Sequence, residues 1–292
     1  MNIRTNNIKK KIFNKDVLKA CRKRSLKLIP KYSFSNYLNA NISERIQEIN
    51  KKFQNSLTIT NNLEDSLWVE SIGYRIKNNF NGLLSMNDKN KNINMLIDEE
   101  ILPFKNECFD LIVSNLNLHS TVNLGKLLLE INKTLIPDGL FIGSMFGRET
   151  LNELRYSLLS AETEITGKTY PRIIPFTDIR TSGDLLYKSG FKLCVSDIDR
   201  VVLEFDQPID LIHQLRAIGE TNYLNIDRLP INKKVWKRAC EIYKNNFSNN
   251  KGLVKATFDI ITLTGWKYDK KQQEPLKPGS ATHKLSDALN KR

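Results

Sequence analysis

The sequence predicts an α/β protein with a doubly wound, mostly parallel sheet. Three observations carry that prediction. The run FDLIVS at 109–114 is short, apolar and bounded by polar residues, as suits a strand buried on both faces. Leu124, Leu127, Leu128, Ile131 and Leu135 then recur at steps of three and four, which makes one apolar helix face. The run LFIGSMF at 140–146 follows as the next strand, so the three form a parallel crossover unit.

The remaining elements follow in chain order. Basic residues Lys9, Lys10, Lys11, Arg22, Lys23 and Arg24 mark residues 1–53 as an N-terminal helical extension. Tyr37, Leu38, Ile42, Ile46 and Ile49 give it a helix within 34–53. Short strands are expected at 56–60, 82–86 and 93–97, with a helix over 66–77 between the first two. Asn123 is placed to cap the 124–135 helix, and Pro137-Asp138-Gly139 to stop it. Thr150 and Glu153 have capping-box spacing before Leu151, Leu154 and Leu158. A helix from about Asp178 ends at Gly190, and strands are expected at 191–195 and 201–205. Pro208 opens a helix that Gly219 stops, and Val235, Trp236, Ala239, Ile242 and Tyr243 mark another. The segment 257–266 is the last strand, expected to run antiparallel beside the fifth. The main domain spans 54–268 with a helical insertion at 206–250, and 269–292 is a basic, loosely ordered tail.

Composition narrows the function classes. The chain has 292 residues, 40% of them hydrophobic, enough for one large domain with additions. No apolar run approaches the ~20 residues of a membrane-spanning helix. Cys21, Cys108, Cys194 and Cys240 are scattered with no Cys-x-x-Cys pair, which argues against zinc and disulfides and for a reducing cytoplasm. His119, His213 and His283 are equally dispersed, so no metal site is expected. The net charge of +13 admits nucleic acid or contact with an anionic membrane surface. Heavy use of Lys, Asn and Ile reads instead as compositional bias, and no aromatic RNA-binding signature accompanies the charge. Nucleic acid is not the expected partner.

The residues that carry a resemblance run from about 97 onward. IDEEILPFKNECFDLIVSNLNLH at 97–119 resembles class I S-adenosylmethionine-dependent methyltransferases of the BioC-like group. LIPDGLFIGSMFGRETLNELR at 135–155 and AETEITGKTYPRIIPFTDIRTSGDLLYKSGF at 161–191 narrow the likeness. So do GETN at 219–222, GWKY at 265–268 and GSAT at 279–282. Together they look like the complex I assembly factor 5 family, protein-arginine hydroxylases of alphaproteobacteria and mitochondria. The resemblance covers about 10–285 and implies a seven-stranded Rossmann-like methyltransferase fold.

Two departures touch the implied cofactor. The family opens with a glycine-rich loop after the first strand, where bare backbone approaches S-adenosylmethionine closely. Here the three glycine positions align with Thr60, Asn62 and Glu64, and no glycine occurs from 57 to 70. The acid that holds the ribose after the second strand is also missing from LLSMND at 83–88. Weak S-adenosylmethionine binding, or none, is the expectation.

The resemblance gives Asp98, with Glu99 beside it, the adenine contact; a solvated strand-end acid is the alternative. Asn115 and His119 follow the fourth strand, where substrate-facing residues sit in this fold. They are the candidate catalytic residues, Asn115 also lying beside the cofactor, against a packed or capping histidine. Arg148 and Glu162 are candidates for holding a charged substrate, Glu162 by receiving a guanidinium; a surface ion pair is the alternative for Arg148 and simple helix-surface charge for Glu162. The leading reading is an enzyme acting on a protein side chain, by methyl transfer or arginine hydroxylation, in assembly of the respiratory NADH dehydrogenase. The alternatives are a non-catalytic assembly factor with an eroded cofactor site and, third, an RNA methyltransferase.

Overall fold

A computed structural model describes residues 12–61, 68–71, 75–83, 95–98, 100–225, 230–273 and 279–280. Seven strands form one sheet: β1 (Phe53–Thr60), β2 (Ile76–Leu83), β3 (Met95–Leu96), β4 (Phe109–Ser114), β5 (Leu135–Phe146), β6 (Phe191–Phe205) and β7 (Val254–Lys267). Their order is β3-β2-β1-β4-β5-β7-β6. All neighbours from β3 to β5 are parallel, and β7 runs antiparallel between β5 and β6. The doubly wound sheet with its inserted last strand is the one the sequence predicts. The helices are α1 (Lys15–Ser25), α2 (Phe34–Glu48), α3 (Trp68–Ser71), α4 (Leu124–Thr134), α5 (Asn152–Thr166), α6 (Ile179–Lys188), α7 (Pro208–Ala217) and α8 (Lys233–Phe247).

The period of two along buried strands divides the core. Leu111 and Val113 of β4, with Leu140 and Ile142 of β5, pack against Ile42 and Ile46 of α2 and against Trp68. Ile112 and Phe141 face the other way, onto Leu127, Leu128 and Ile131 of α4 and Leu186 of α6. Beyond β5, helices α5, α7 and α8 enclose a further cluster around Phe146, Phe205 and Phe258. That cluster carries the far edge of the functional rim.

Several local expectations are corrected. Within the segment expected as a helix over 66–77, the described helical residues are Trp68–Ser71, and Ile76 already lies in β2. β2 is rich in asparagine, and its side chains bond laterally. Ser56 Oγ donates to Asn79 Oδ1 at 2.7 Å, and Asn78 Nδ2 to Asn55 Oδ1 at 2.9 Å. Such pairing makes a strand from residues with low strand preference. The second strand therefore begins six residues early, and 84–86 lie outside the described residues. The third is two residues long, with 93 and 94 outside.

Pro137-Asp138-Gly139 does not separate helix from strand but forms an irregularity inside β5. The partners jump from Phe109↔Leu135 to Leu111↔Leu140, with Asp138 at φ 59°. The two strands expected at 191–195 and 201–205 are one, β6, because β7 pairs along its length. Thr150 and Glu153 make no capping box. Glu153 turns inward and accepts the Thr257 amide at 3.1 Å, while Thr150 Oγ1 donates to Asp259 O at 3.2 Å. Asn123 does cap α4, accepting from the Lys126 amide at 3.0 Å. Gly190 and Gly219 end their helices at φ 87° and 80°, the left-handed region that glycine enters without cost.

Candidate active site

The rim lies where the parallel strands end, at the carboxyl ends of β1, β4 and β5. Thr60 closes β1 and is fully buried. The next residue, Asn61, donates from Nδ2 to Asn117 Oδ1 at 2.8 Å. Asn117 reaches back with its own Nδ2 to Ile59 O at 3.1 Å, and also to the Asn115 carbonyl. The Asn115 amide donates to Ile59 O at 3.0 Å. The ends of β1 and β4 are thus stitched together by amides. Asn62, Glu64 and Glu99 lie outside the described residues.

The N-terminal helix closes over this edge. Lys15 Nζ lies 3.0 Å from Asp98 Oδ1 and 3.1 Å from Glu100 Oε2. Partial burial works against the Asp98 charge, yet the Glu100 amide and the Lys15 ammonium outweigh it and hold the carboxyl below its usual range. Burial likewise opposes the Lys15 charge, and the two carboxylates overcome it and raise that pKa. Further along α1, the fully buried Arg22 donates to Ser120 Oγ at 2.7 Å, and Ser120 Oγ to Asn117 O at 2.7 Å. The chain before α1 pairs with the loop after α7: Asn14 N donates to Tyr223 O and Asn225 N to Ile12 O, both at 2.8 Å. Phe13, Leu18, Ile174, Tyr223 and Leu224 form the core of that contact.

The Lys15 pair should appear in the pH dependence of stability. Folding lowers the Asp98 pKa, so the contribution is complete above the unfolded value of 3.8 and is lost as pH falls through the folded one. Folding raises the Lys15 pKa, so it is also lost as pH rises through a folded value above 10.5. Lys15→Ala should be less stable than the wild type in urea at about pH 7 and equal to it at about pH 2. An unchanged difference at both pH values would refute the pairing.

His119 sits in a short 3-10 turn, Leu118–Ser120, with its side chain 1% exposed. Phe146 N donates to His119 Nδ1 at 3.3 Å, so the ring proton lies on Nε2, which donates to Glu220 Oε2 at 3.0 Å. The rings of Phe146 and Phe176 pack against it at 5.0 and 5.7 Å between centroids. Both nitrogens are in use, and the geometry suits positioning better than proton transfer. Asn115 is buried and ties β4 to β1.

Glu162 corrects the sequence expectation most directly. It does hold a guanidinium, but one from its own chain: Arg172 Nε donates to its Oε1 at 3.0 Å, and the Tyr170 amide to its Oε2 at 3.2 Å. The carboxylate is buried and pins the 170–172 loop to α5. Arg148, past the end of β5, is exposed and makes no ion pair among the described residues.

Next to this rim, α5, the 170–176 loop, α7 and the 219–222 turn enclose a cleft of about 390 Å³. Phe146, Leu154, Leu158, Phe258, Ile212 and Trp236 wall it, and Arg24, Arg172, Arg216 and Glu220 supply charge. Sequence reasoning missed Lys15, Arg22, Asn61 and Glu220. Glu220 alone had a signal, as part of the GETN run. Among the described residues, no three His, Cys, Asp or Glu side chains are grouped to hold a metal ion.

Among the described residues, two groups at the implied cofactor position are already engaged, and 62–67, 84–94 and Glu99 lie outside the described residues. The Asn61–Asn117 bond crosses the crevice between β1 and β4, and Asp98 is engaged by Lys15.

Comparison with known proteins gives the following. A family model described as a methyltransferase domain matches residues 58–143. The chain is 40% identical over 190 residues to the arginine-hydroxylase NDUFAF5, mitochondrial, of Homo sapiens, covering 65% of this chain and 55% of that one. It is 39% identical to the Rattus norvegicus protein of the same name, covering 67% and 57%. It therefore spans less than two thirds of the length of these relatives. To the putative methyltransferase RP459 of Rickettsia prowazekii it is 35% identical, covering 56% of this chain and 72% of that one. The crystal structure of YcgJ from Bacillus subtilis superposes with a TM-score of 0.53 at 12% identity, covering 80% of this chain and 99% of that one. That likeness concerns the fold alone.

Proposed function

The chain belongs to the class I S-adenosylmethionine-dependent methyltransferase superfamily, close to the arginine hydroxylase NDUFAF5, and from that premise we propose that it engages a protein side chain during assembly of the respiratory NADH dehydrogenase. One observation carries this reading. The cofactor crevice is stitched by Asn61 and Asn117, whereas the segments that carry the family likeness, 161–176 and 219–222, wall an open cleft beside β5. The part of the fold that presents substrates is intact.

In this reading the partner docks on the rim past β5. The free Arg148 guanidinium holds an acceptor on the partner surface. Glu162 fixes the 170–172 loop through Arg172, and His119 with Glu220 fixes the 219–222 turn against β5. These residues position the docking surface. Whether the captured side chain is then hydroxylated, as the name of the relatives says of them, is a separate step. S-adenosylmethionine, where bound, would supply an electrophilic methyl group. The stitched crevice favours a second reading, a non-catalytic assembly factor that captures the same partner.

Pull-down of NADH dehydrogenase subunits by the full chain tests the docking. Arg148→Ala should weaken capture about ten- to a hundred-fold, for a lost charge-assisted contact of about 1.5–3 kcal/mol. Glycines at Thr60, Asn62 and Glu64 together should change capture little. Loss in the triple-glycine variant with Arg148→Ala unaffected would place docking on the first loop and refute the proposal. Mass spectrometry of the captured subunit separates the readings, since only the enzyme adds mass to an arginine.

A further inference from the structure

We propose that the cleft beside β5 is a binding site for an amphipathic anion, a carboxylate or phosphate head on an apolar body. This goes beyond the assembly role and does not depend on it. The cleft's volume of about 390 Å³ falls in the range of small-molecule sites, and such sites combine mostly apolar walls with a few charged groups. The walls here are Phe146, Leu154, Leu158 and Phe258, all buried at the base, with Ile212 and Trp236 at the side. An aliphatic body entering them leaves water at both surfaces, which favours binding in proportion to the area covered.

The charges select the head. Arg24 and Arg216 line the cleft, are exposed, and make no ion pair among the described residues. Arg24 donates to Thr221 Oγ1 at 3.2 Å, which holds its guanidinium at the 219–222 side. Arg172 adds a third guanidinium, set in place by Glu162. The one carboxylate among the described lining residues, Glu220, accepts from His119. An anionic head therefore meets the guanidinium groups of Arg24 and Arg216, neither of them ion-paired among the described residues, while a cationic head meets like charge. Planar guanidinium suits carboxylate and phosphate alike, so the head is fixed as an oxyanion rather than as one of the two.

Trp236 in the cleft wall provides a reporter. The full chain is titrated with dodecanoate, dodecyl phosphate and dodecyltrimethylammonium below their micellar concentrations, following tryptophan fluorescence. One or both anions should saturate the signal, and which one does identifies the head. The ammonium should bind at least tenfold more weakly, and Trp236→Phe should remove the response. Arg24→Glu/Arg216→Glu, both surface changes, should weaken the anions at least tenfold and narrow or reverse the preference over the ammonium. Ile212→Trp should block all three probes, with circular dichroism confirming the fold. Equal binding of anion and cation, no anion binding, or indifference to the charge reversal would overturn the proposal. No partner protein enters the titration, so its failure is distinct from failure of NADH dehydrogenase capture.

Discussion

Replacing His119 by phenylalanine is expected to destabilise the protein by about 3–5 kcal/mol, although the ring stays aromatic and similar in shape. The reason is the group left behind. Glu220 has a side chain only 6% exposed, and its Oε2 accepts from His119 Nε2 at 3.0 Å. Without the imidazole, a buried carboxylate loses its donor, and the Phe146 amide loses Nδ1 as its acceptor. Glu220→Gln is the control. Its side-chain oxygen still accepts the Nε2 proton, so it should cost on the order of 1 kcal/mol. Urea denaturation of the three proteins decides the matter. Equal losses for the two variants would mean that packing, not the buried bond, holds the turn.

Titration of S-adenosylmethionine into the wild-type protein should give a Kd of about 1 mM or weaker, no more than roughly 4 kcal/mol of binding. The ligand would have to break the Asn61–Asn117 bond and compete with Lys15 for Asp98. Lys15→Ala removes the competitor. It should tighten binding by about fivefold, matching the ~1 kcal/mol of a partly exposed ion pair. Calorimetry with the cofactor and its demethylated product provides the measurement. Sub-micromolar affinity in the wild type would show that the crevice opens at little cost and that the bridging amides are no barrier.

The sheet and its helices were legible because their signals are local. Leu124, Leu127, Leu128 and Ile131 mark their helix face by spacing alone, and FDLIVS is the short apolar run typical of a strand buried on both faces. The site was less legible, for a physical reason visible in particular residues. The sequence leaves the partner of Glu162 open, because nothing in it says that Arg172, ten residues on, folds back onto it. The sequence leaves Asp98 between a ligand contact and a solvated acid, because its partner, Lys15, lies 83 residues away in what reads as a basic extension. Asn79 sits in a strand where Ser56 and Thr58 donate their hydroxyls to its Oδ1 across the sheet, which no local signal shows.

The residues alone carry the doubly wound α/β sheet, its inserted final strand, the caps at Asn123, Gly190 and Gly219, and the loss of glycine at the first turn. These depend on periodicity and backbone freedom, which residues carry with them. What the fold adds is that α1 reaches Asp98 and Ser120, that Asn61 bonds Asn117, that His119 is held by Glu220 and Phe146, and that a cleft lined by Arg24 and Arg216 lies beside β5. Those outcomes depend on which distant polar groups meet once buried, since a buried charge or amide must find a partner and the partner's position is set by the fold.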